Sequence, residues 1–120
     1  MKFSRLVPNI FYKDIRSGLK TFVDCLEFTI GYSELASHRP FCVVEKDGLK
    51  IMLFQDSKYA EEHNPEFRLE TDNIEEVYER ISTQFPEMLH PNLSKVTLRP
   101  WGAQEFAIID DQLGVIIQQW

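Results

Sequence analysis

One order of apolar segments runs through the first half of this 120-residue chain and then runs again, and that repetition constrains the fold more than any single motif. Residues 6–12 (Leu-Val-Pro-Asn-Ile-Phe-Tyr) read as a strand, with Pro8 marking an edge or the strand's beginning. Asp14 stands where a helix N-cap accepts hydrogen bonds from the free amides of a first turn. Ile15, Leu19, Phe22, Val23 and Leu26 then recur on one helical face. A weak strand at 29–35 and stronger ones at 41–44 and 49–54 follow, with Asp47-Gly48 as a tight hairpin turn between the last two. Residues 55–65 read as a polar connection.

The second half begins again with an alternating strand, Phe67-Arg68-Leu69-Glu70-Thr71. Asp72-Asn73 caps a second helix carried by Ile74, Val77, Tyr78 and Ile81, which Phe85-Pro86 ends because a residue before proline avoids helical angles. Strands at 96–98, 104–109 and 115–120 complete it, with a turn at 110–114. The capping residues Asp14 and Asn73 are 59 apart and the turn glycines Gly48 and Gly114 are 66 apart, which places seven extra residues between Phe85 and Val96. Each half is a βαβββ unit of about 60 residues, too small to bury its sheet well alone. The expectation is one domain over residues 1–120, of α+β class, with modules at about 1–60 and 61–120.

Composition narrows the partners. The net charge is −6, so nonspecific attraction to nucleic acid is not expected, nor to an anionic membrane surface. The charge is uneven: residues 1–60 carry 9 basic and 7 acidic side chains (+2), residues 61–120 carry 4 and 12 (−8). The two cysteines, Cys25 and Cys42, have no metal-binding spacing, and no signal peptide or bilayer-length apolar run opens the chain. A cytoplasmic protein with reduced, buried thiols is the expectation, with a Cys25–Cys42 disulfide as the alternative. His38, His63 and His90 lie far apart in loops or strand edges and read as surface residues.

The repeat and its local motifs together resemble the vicinal oxygen chelate superfamily, which contains glyoxalase I, extradiol dioxygenases, fosfomycin resistance enzymes and bleomycin-resistance proteins. Residues 14–28 look like the family's "D…FY…LGF" helix, with Phe22-Val23 in place of Phe-Tyr and Glu27 in place of Gly. Residues 71–78 (Thr-Asp-Asn-Ile-Glu-Glu-Val-Tyr) resemble "VDDIEEVY", and residues 100–106 (Pro-Trp-Gly-Ala-Gln-Glu-Phe) resemble the "PWG.REF" segment of the bleomycin-resistance-like branch. Asp111-Gln112-Leu113-Gly114 stands where the family has "DPDG". The resemblance implies two tandem βαβββ modules forming a curved mixed sheet around a concave cavity, with helices on the outer face, and a homodimer.

Counted from the caps and turn glycines, the family's metal-ligand positions fall on Val7, Met52, Glu66 and Gln118. A divalent catalytic metal wants two or three nitrogen or carboxylate donors, and only Glu66 is a good one. No metal and no cofactor are therefore expected.

Strand parity puts Val7, Asn9, Phe11, Lys50, Met52, Phe54, Glu66, Arg68, Glu70, Ile116, Gln118 and Trp120 on the concave side, with Glu105 as a further acid that could aim inward. By resemblance Trp101 sits near the mouth or the dimer seam. The ligand-binding candidates are Asn9, Phe11, Met52, Phe54, Glu66, Arg68, Trp101, Glu105 and Gln118. A wall of rings and charges suits a small planar ligand, cationic or polar, although an open solvent-facing sheet or a dimer core would show the same residues. The leading reading is a metal-free, bleomycin-resistance-like protein that sequesters a small organic molecule, as in antibiotic resistance. The alternative is a metal-dependent lyase, isomerase or dioxygenase of the same superfamily.

Overall fold

A computed structural model describes all 120 residues, Met1–Trp120. The chain divides into two units, Met1–His63 and Asn64–Trp120. Each is a βαβββ module with its own four-stranded mixed sheet, so the class is α+β.

In the first module, β1 (Asn9–Tyr12), β2 (Thr29–Glu34), β3 (Phe41–Lys46) and β4 (Leu49–Gln55) lie in the order β1-β4-β3-β2. β1 runs parallel to β4, and the other pairs are antiparallel. The expected strand 6–12 begins only at Asn9. Pro8 has no N–H for a ladder, and its carbonyl takes one bond from the Met52 amide before the chain leaves the sheet. The Asp47-Gly48 turn forms as expected, both residues at positive φ (53° and 82°), which matches the right-handed twist of the flanking strands.

The first helix follows Asp14, whose carboxylate accepts from the Arg16 amide at 3.0 Å. The Arg16 guanidinium grips the same carboxylate and holds its pKa down to about 2. α1 (Ile15–Leu19) passes without a break into a π-helical stretch, Lys20–Cys25, closed by a bond from the Leu26 amide to the Thr21 carbonyl. Of the predicted apolar face, Ile15 and Phe22 are buried while Leu19, Val23 and Leu26 are half-buried, and Thr21 and Cys25 take buried positions instead. Glu27 then adopts φ 63°, the left-handed turn that ends a helix and that glycine takes without strain. This is the position at which the resembling motif has Gly. Cys25 and Cys42 are both free and buried, and burial pushes the Cys42 thiol up.

Residues 55–65 differ from expectation. Asp56 accepts from the Tyr59 amide at 3.1 Å and starts a short helix, α2 (Ser57–Glu62), whose Ala60 is buried. Six polar-looking residues hide one buried contact, too little for a periodic signal.

The second module holds β5 (Glu66–Glu70), α3 (Ile74–Gln84), a 3₁₀ turn at Pro86–Met88, β6 (Thr97–Leu98), β7 (Gln104–Ile109) and β8 (Gly114–Gln119). The strand order β5-β8-β7-β6 repeats that of the first module. Asn73 caps α3 by accepting from the Glu76 amide at 3.3 Å, and Ile74 and Ile81 seal against Phe106, Ile108, Val115 and Ile117. The Tyr78 ring stands edge-on to Phe106 at 5.0 Å.

A glutamine at the end of each module's last strand strengthens the repeat. Gln55 Oε1 accepts from the Ile15 amide (3.0 Å), and Gln119 Oε1 accepts from the Ile74 amide (2.7 Å), so each helix N-terminus is tied to its own sheet. These pairs, with the strand registers, fix offsets of 59 residues for the strand and helix and 64 for the hairpin. The inserted segment is therefore five residues (64 − 59), not seven. The counting error lies at Gly114, which has no positive φ. Gln112 occupies the place of Gly48, because Asp110 Oδ1 accepts from the Gln112 and Leu113 amides at 2.8 and 2.7 Å and closes that turn without glycine.

Two substitutions should move stability in opposite directions. Glu27→Gly removes the left-handed strain and is expected to stabilise by about 0.5–1 kcal/mol after glycine's own entropy cost. Gly18→Ala would set a Cβ 2.6 Å from the buried Tyr12 ring and is expected to destabilise by about 1–3 kcal/mol. Urea unfolding midpoints measure both.

Candidate functional site

In each module the helix covers one face of the sheet, and alternation sends every second side chain to the other. On the uncovered face of the first module, Phe54 is the register partner of Phe11 on one side and of Phe41 on the other. The rings stack: Phe11 and Phe54 have centroids 5.4 Å apart at 24°, and Phe54 and Phe41 are 5.9 Å apart at 20°. Tyr59 of α2 extends the row past Phe11 (5.0 Å), and Tyr32 of β2 extends it past Phe41 (5.7 Å). Five rings thus lie in line. Asn9 and Met52 are register partners on the same face. A cavity of about 450 Å³ opens beside the row, lined by Phe11, Phe41, Phe54, Gln55, His38 and Arg39 among others.

The same register positions in the second module carry Glu70, Gln118 and Glu105 where the first has Phe11, Phe54 and Phe41. Glu105 is the centre of what forms there. Its side chain is 1% exposed, yet it is ionised among donors. Oε2 accepts from Gln118 Nε2 (2.6 Å), Trp101 Nε1 (3.2 Å) and Arg68 Nε (3.3 Å), and Oε1 lies 3.7 Å from Arg99 Nε. Burial alone would raise the Glu105 pKa. The three hydrogen bonds and the Arg68 charge outweigh it and hold the carboxyl below its ordinary range. Arg99 and Arg68 also stand over the Trp101 ring, at 4.9 and 6.0 Å from its centroid. A tight turn makes this possible: Gly102, at φ 98°, donates to the Arg99 carbonyl and folds Trp101 back beside Arg99.

The structure therefore brings together Arg68, Trp101, Glu105 and Gln118 in one cluster and Phe11 and Phe54 in another. Glu105 is not the free inward-facing acid expected of it, because four donors already surround it. Exposed Glu66 lines a cavity of about 260 Å³ with Arg68, Arg99, Glu105, His90 and Asn92. Phe41, Tyr59 and Arg99 are absent from the sequence-based set. Phe41 was within reach of arithmetic, since a two-residue turn at 47–48 pairs 41 with 54. Arg99 lies in a loop, where no periodicity speaks.

The metal-ligand positions do not fit a metal. The residue equivalent to Met52 is Ile116, and Gln118 is equivalent to Phe54, a two-residue correction that follows from the turn at Gln112. Glu66 pairs with Gly114 and Gln118 with Glu70, four positions apart and so about 13 Å along the strand. No three His, Cys, Asp or Glu side chains gather anywhere in a way that could hold a metal ion. No helix is long and apolar enough to cross a membrane.

Both units are thus βαβββ modules of one strand order, the architecture implied by the motifs in the sequence. No protein-family model matches the chain, and no curated protein matches it. Solved structures do. A bleomycin-binding protein complexed with bleomycin is similar at 19% identity and TM-score 0.72, over 98% of this chain and 99% of that one. A bleomycin resistance determinant encoded on the transposon Tn5 is similar at 18% identity and TM-score 0.73, over 98% of each chain. A glyoxalase/bleomycin resistance protein/dioxygenase superfamily member from Sphaerobacter thermophilus gives 18%, 0.73 and 98% of each chain. The likeness is one of fold, and the fold is the one the sequence motifs resemble.

Glu105→Gln keeps the shape of the side chain and removes its charge, leaving Arg68 and Arg99 without a counter-ion. It is expected to cost about 2 kcal/mol at neutral pH. A lowered folded-state pKa stabilises above the ordinary carboxylate value of 4.5 and loses that contribution as pH falls through the folded value beneath it. The gap between wild type and Glu105→Gln should close over that acid range, as read by denaturation midpoints.

Proposed function

We propose that the chain is a metal-free, bleomycin-resistance-like binding protein that sequesters a small planar organic ligand, in a cavity that a homodimer completes. The single observation that carries this reading is the row of rings centred on Phe54, on the face the long helix leaves uncovered and beside a cavity of about 450 Å³. Rings spaced at 5–6 Å with near-parallel planes offer stacking surface to a flat ligand and no chemistry to transform it. The fold likeness supports the same class, since one similar protein is described as bleomycin-binding and another as a bleomycin resistance determinant. The corrected positions Val7, Met52, Glu66 and Ile116 offer one carboxylate among them, which supports binding over metal-assisted lyase, isomerase or dioxygenase chemistry. A cytoplasmic location belongs to the same reading.

A thermal-shift screen of planar aromatics, bleomycin included, should find compounds that stabilise the protein. Phe54→Ala should weaken the best of them about tenfold or more, because it removes the ring at the middle of the row. A screen in which no compound stabilises the protein, or a hit that ignores Phe54, would contradict the proposal. Elemental analysis should find no stoichiometric zinc, nickel, manganese or iron, and one equivalent of metal would favour the enzymatic alternative. Light scattering should give about 28 kDa, twice the 14.1 kDa chain, and a 14 kDa particle would remove the dimer.

A further inference from the structure

The Glu105 cluster holds more positive charge and more hydrogen-bond donors than one carboxylate uses. Arg68 and Arg99 bring two guanidinium groups to a single buried acid. Arg68 spends only its Nε on the protein, at 3.3 Å from Glu105 Oε2, leaving its Nη groups. Arg99 pairs with Glu105 by charge alone: its Nε is shielded from solvent, lies 3.7 Å from Oε1, and has no hydrogen-bond partner. A shielded N–H with no acceptor at hydrogen-bond distance is costly, while the rest of this half-buried guanidinium reaches the cavity. Stacking over Trp101 at 4.9 Å holds the Arg99 plane in place without satisfying its donors.

The surroundings point the same way. Both arginines line the cavity of about 260 Å³, whose floor is Ala107 and Ile116 and whose wall includes His90 and Asn92. The Asn92 backbone N–H donates to His90 Nδ1 at 3.1 Å, which fixes the ring at the cavity wall and leaves Nε2 outside that bond. Glu66 is the one acid on the wall that Glu105's donors leave unpaired, and it is exposed.

We propose that this second-module cavity is an oxyanion-binding site, taking the carboxylate or phosphate of a small ligand. Arg99 is its principal donor and Arg68 its second, while Glu105 acts as a positioning residue that holds both guanidinium planes at the cavity. Planar guanidinium forks match either oxyanion in bidentate geometry. The site stands on the second module alone and does not depend on the aromatic row.

Trp101 supplies the readout, because both guanidinium groups lie over its ring. With Trp120→Phe as background, Trp101 is the only indole left of the two in the chain. Its emission is followed while sodium phosphate, or separately sodium benzoate, replaces sodium chloride at constant ionic strength and neutral pH. A saturable change is expected with at least one of them. Saturation by benzoate alone assigns a carboxylate, and saturation by phosphate alone assigns a phosphate. Arg99→Ala should raise the midpoint about tenfold or more, the worth of a charge-assisted pair of hydrogen bonds. Glu66→Gln, at an exposed position that leaves the fold intact, should lower the midpoint several-fold by removing a like charge from the wall. A response that never saturates with either anion would overturn the proposal. So would a midpoint that Glu66→Gln leaves unmoved, or a folded Arg99→Ala protein that binds as tightly as its parent.

Discussion

A sheet has two faces, and each sheet in this chain has one long helical segment to cover it. That constraint organises everything else. In the first module Ile10, Tyr12, Cys42, Val44, Ile51 and Leu53 go under the helix, and their neighbours in sequence must face the other way. In the second module Phe106, Ile108, Val115 and Ile117 do the same. The uncovered faces are therefore consequences of the cores. A residue such as Phe54 cannot be moved to the helix side without moving Leu53 and Ile51 away from it, because a one-residue slip inverts the whole strand.

The two modules solve the uncovered face differently at equivalent register positions. Phe11, Phe54 and Phe41 stack as apolar surface, whereas Glu70, Gln118 and Glu105 make a polar face whose middle is a buried carboxylate. The second solution is demanding. A buried charge needs partners, and Gln118, Trp101, Arg68 and Arg99 are drawn from β8, the 99–102 turn and β5 to supply them. The network ties loop to sheet, and it leaves guanidinium groups aimed at a cavity. An overall charge of −6 gives no hint of this, since the acids of the second half mostly decorate α3 and loops while its few arginines gather at one place.

The architecture was largely legible because it rests on local chemistry. The apolar runs at 41–44, 49–54 and 104–109, the alternation at 67–71, the caps at Asp14 and Asn73, and the Asp47-Gly48 turn each act within a few residues. The repeat then multiplies their weight. What failed was longer-range or compensated. Gly114 looks like Gly48, but Asp110 closes the second turn by side-chain bonding and displaces the count by two residues. The π-helical stretch at Lys20–Cys25 buries Thr21, Phe22 and Cys25 and leaves Val23 half-buried, a turn of the face that a 3.6-residue period does not anticipate. The site was half legible. Parity found Phe11, Phe54, Arg68 and Gln118, but it could not show that Glu105 is consumed by its neighbours, or that Arg99, His90 and Asn92 arrive from a loop.

The central claim is that the uncovered sheet faces are binding faces, aromatic in the first module and guanidinium-lined in the second. Amide and indole chemical-shift mapping by two-dimensional NMR, with 2-naphthoate as a planar aromatic carboxylate, tests it most directly. The account predicts shifts concentrated on Phe11, Phe41 and Phe54 and on the Trp101 indole N–H, with the helix-covered Ile10, Leu53 and Phe106 unmoved. Shifts scattered over the surface, or gathered on the helices while those residues stay still, would contradict it.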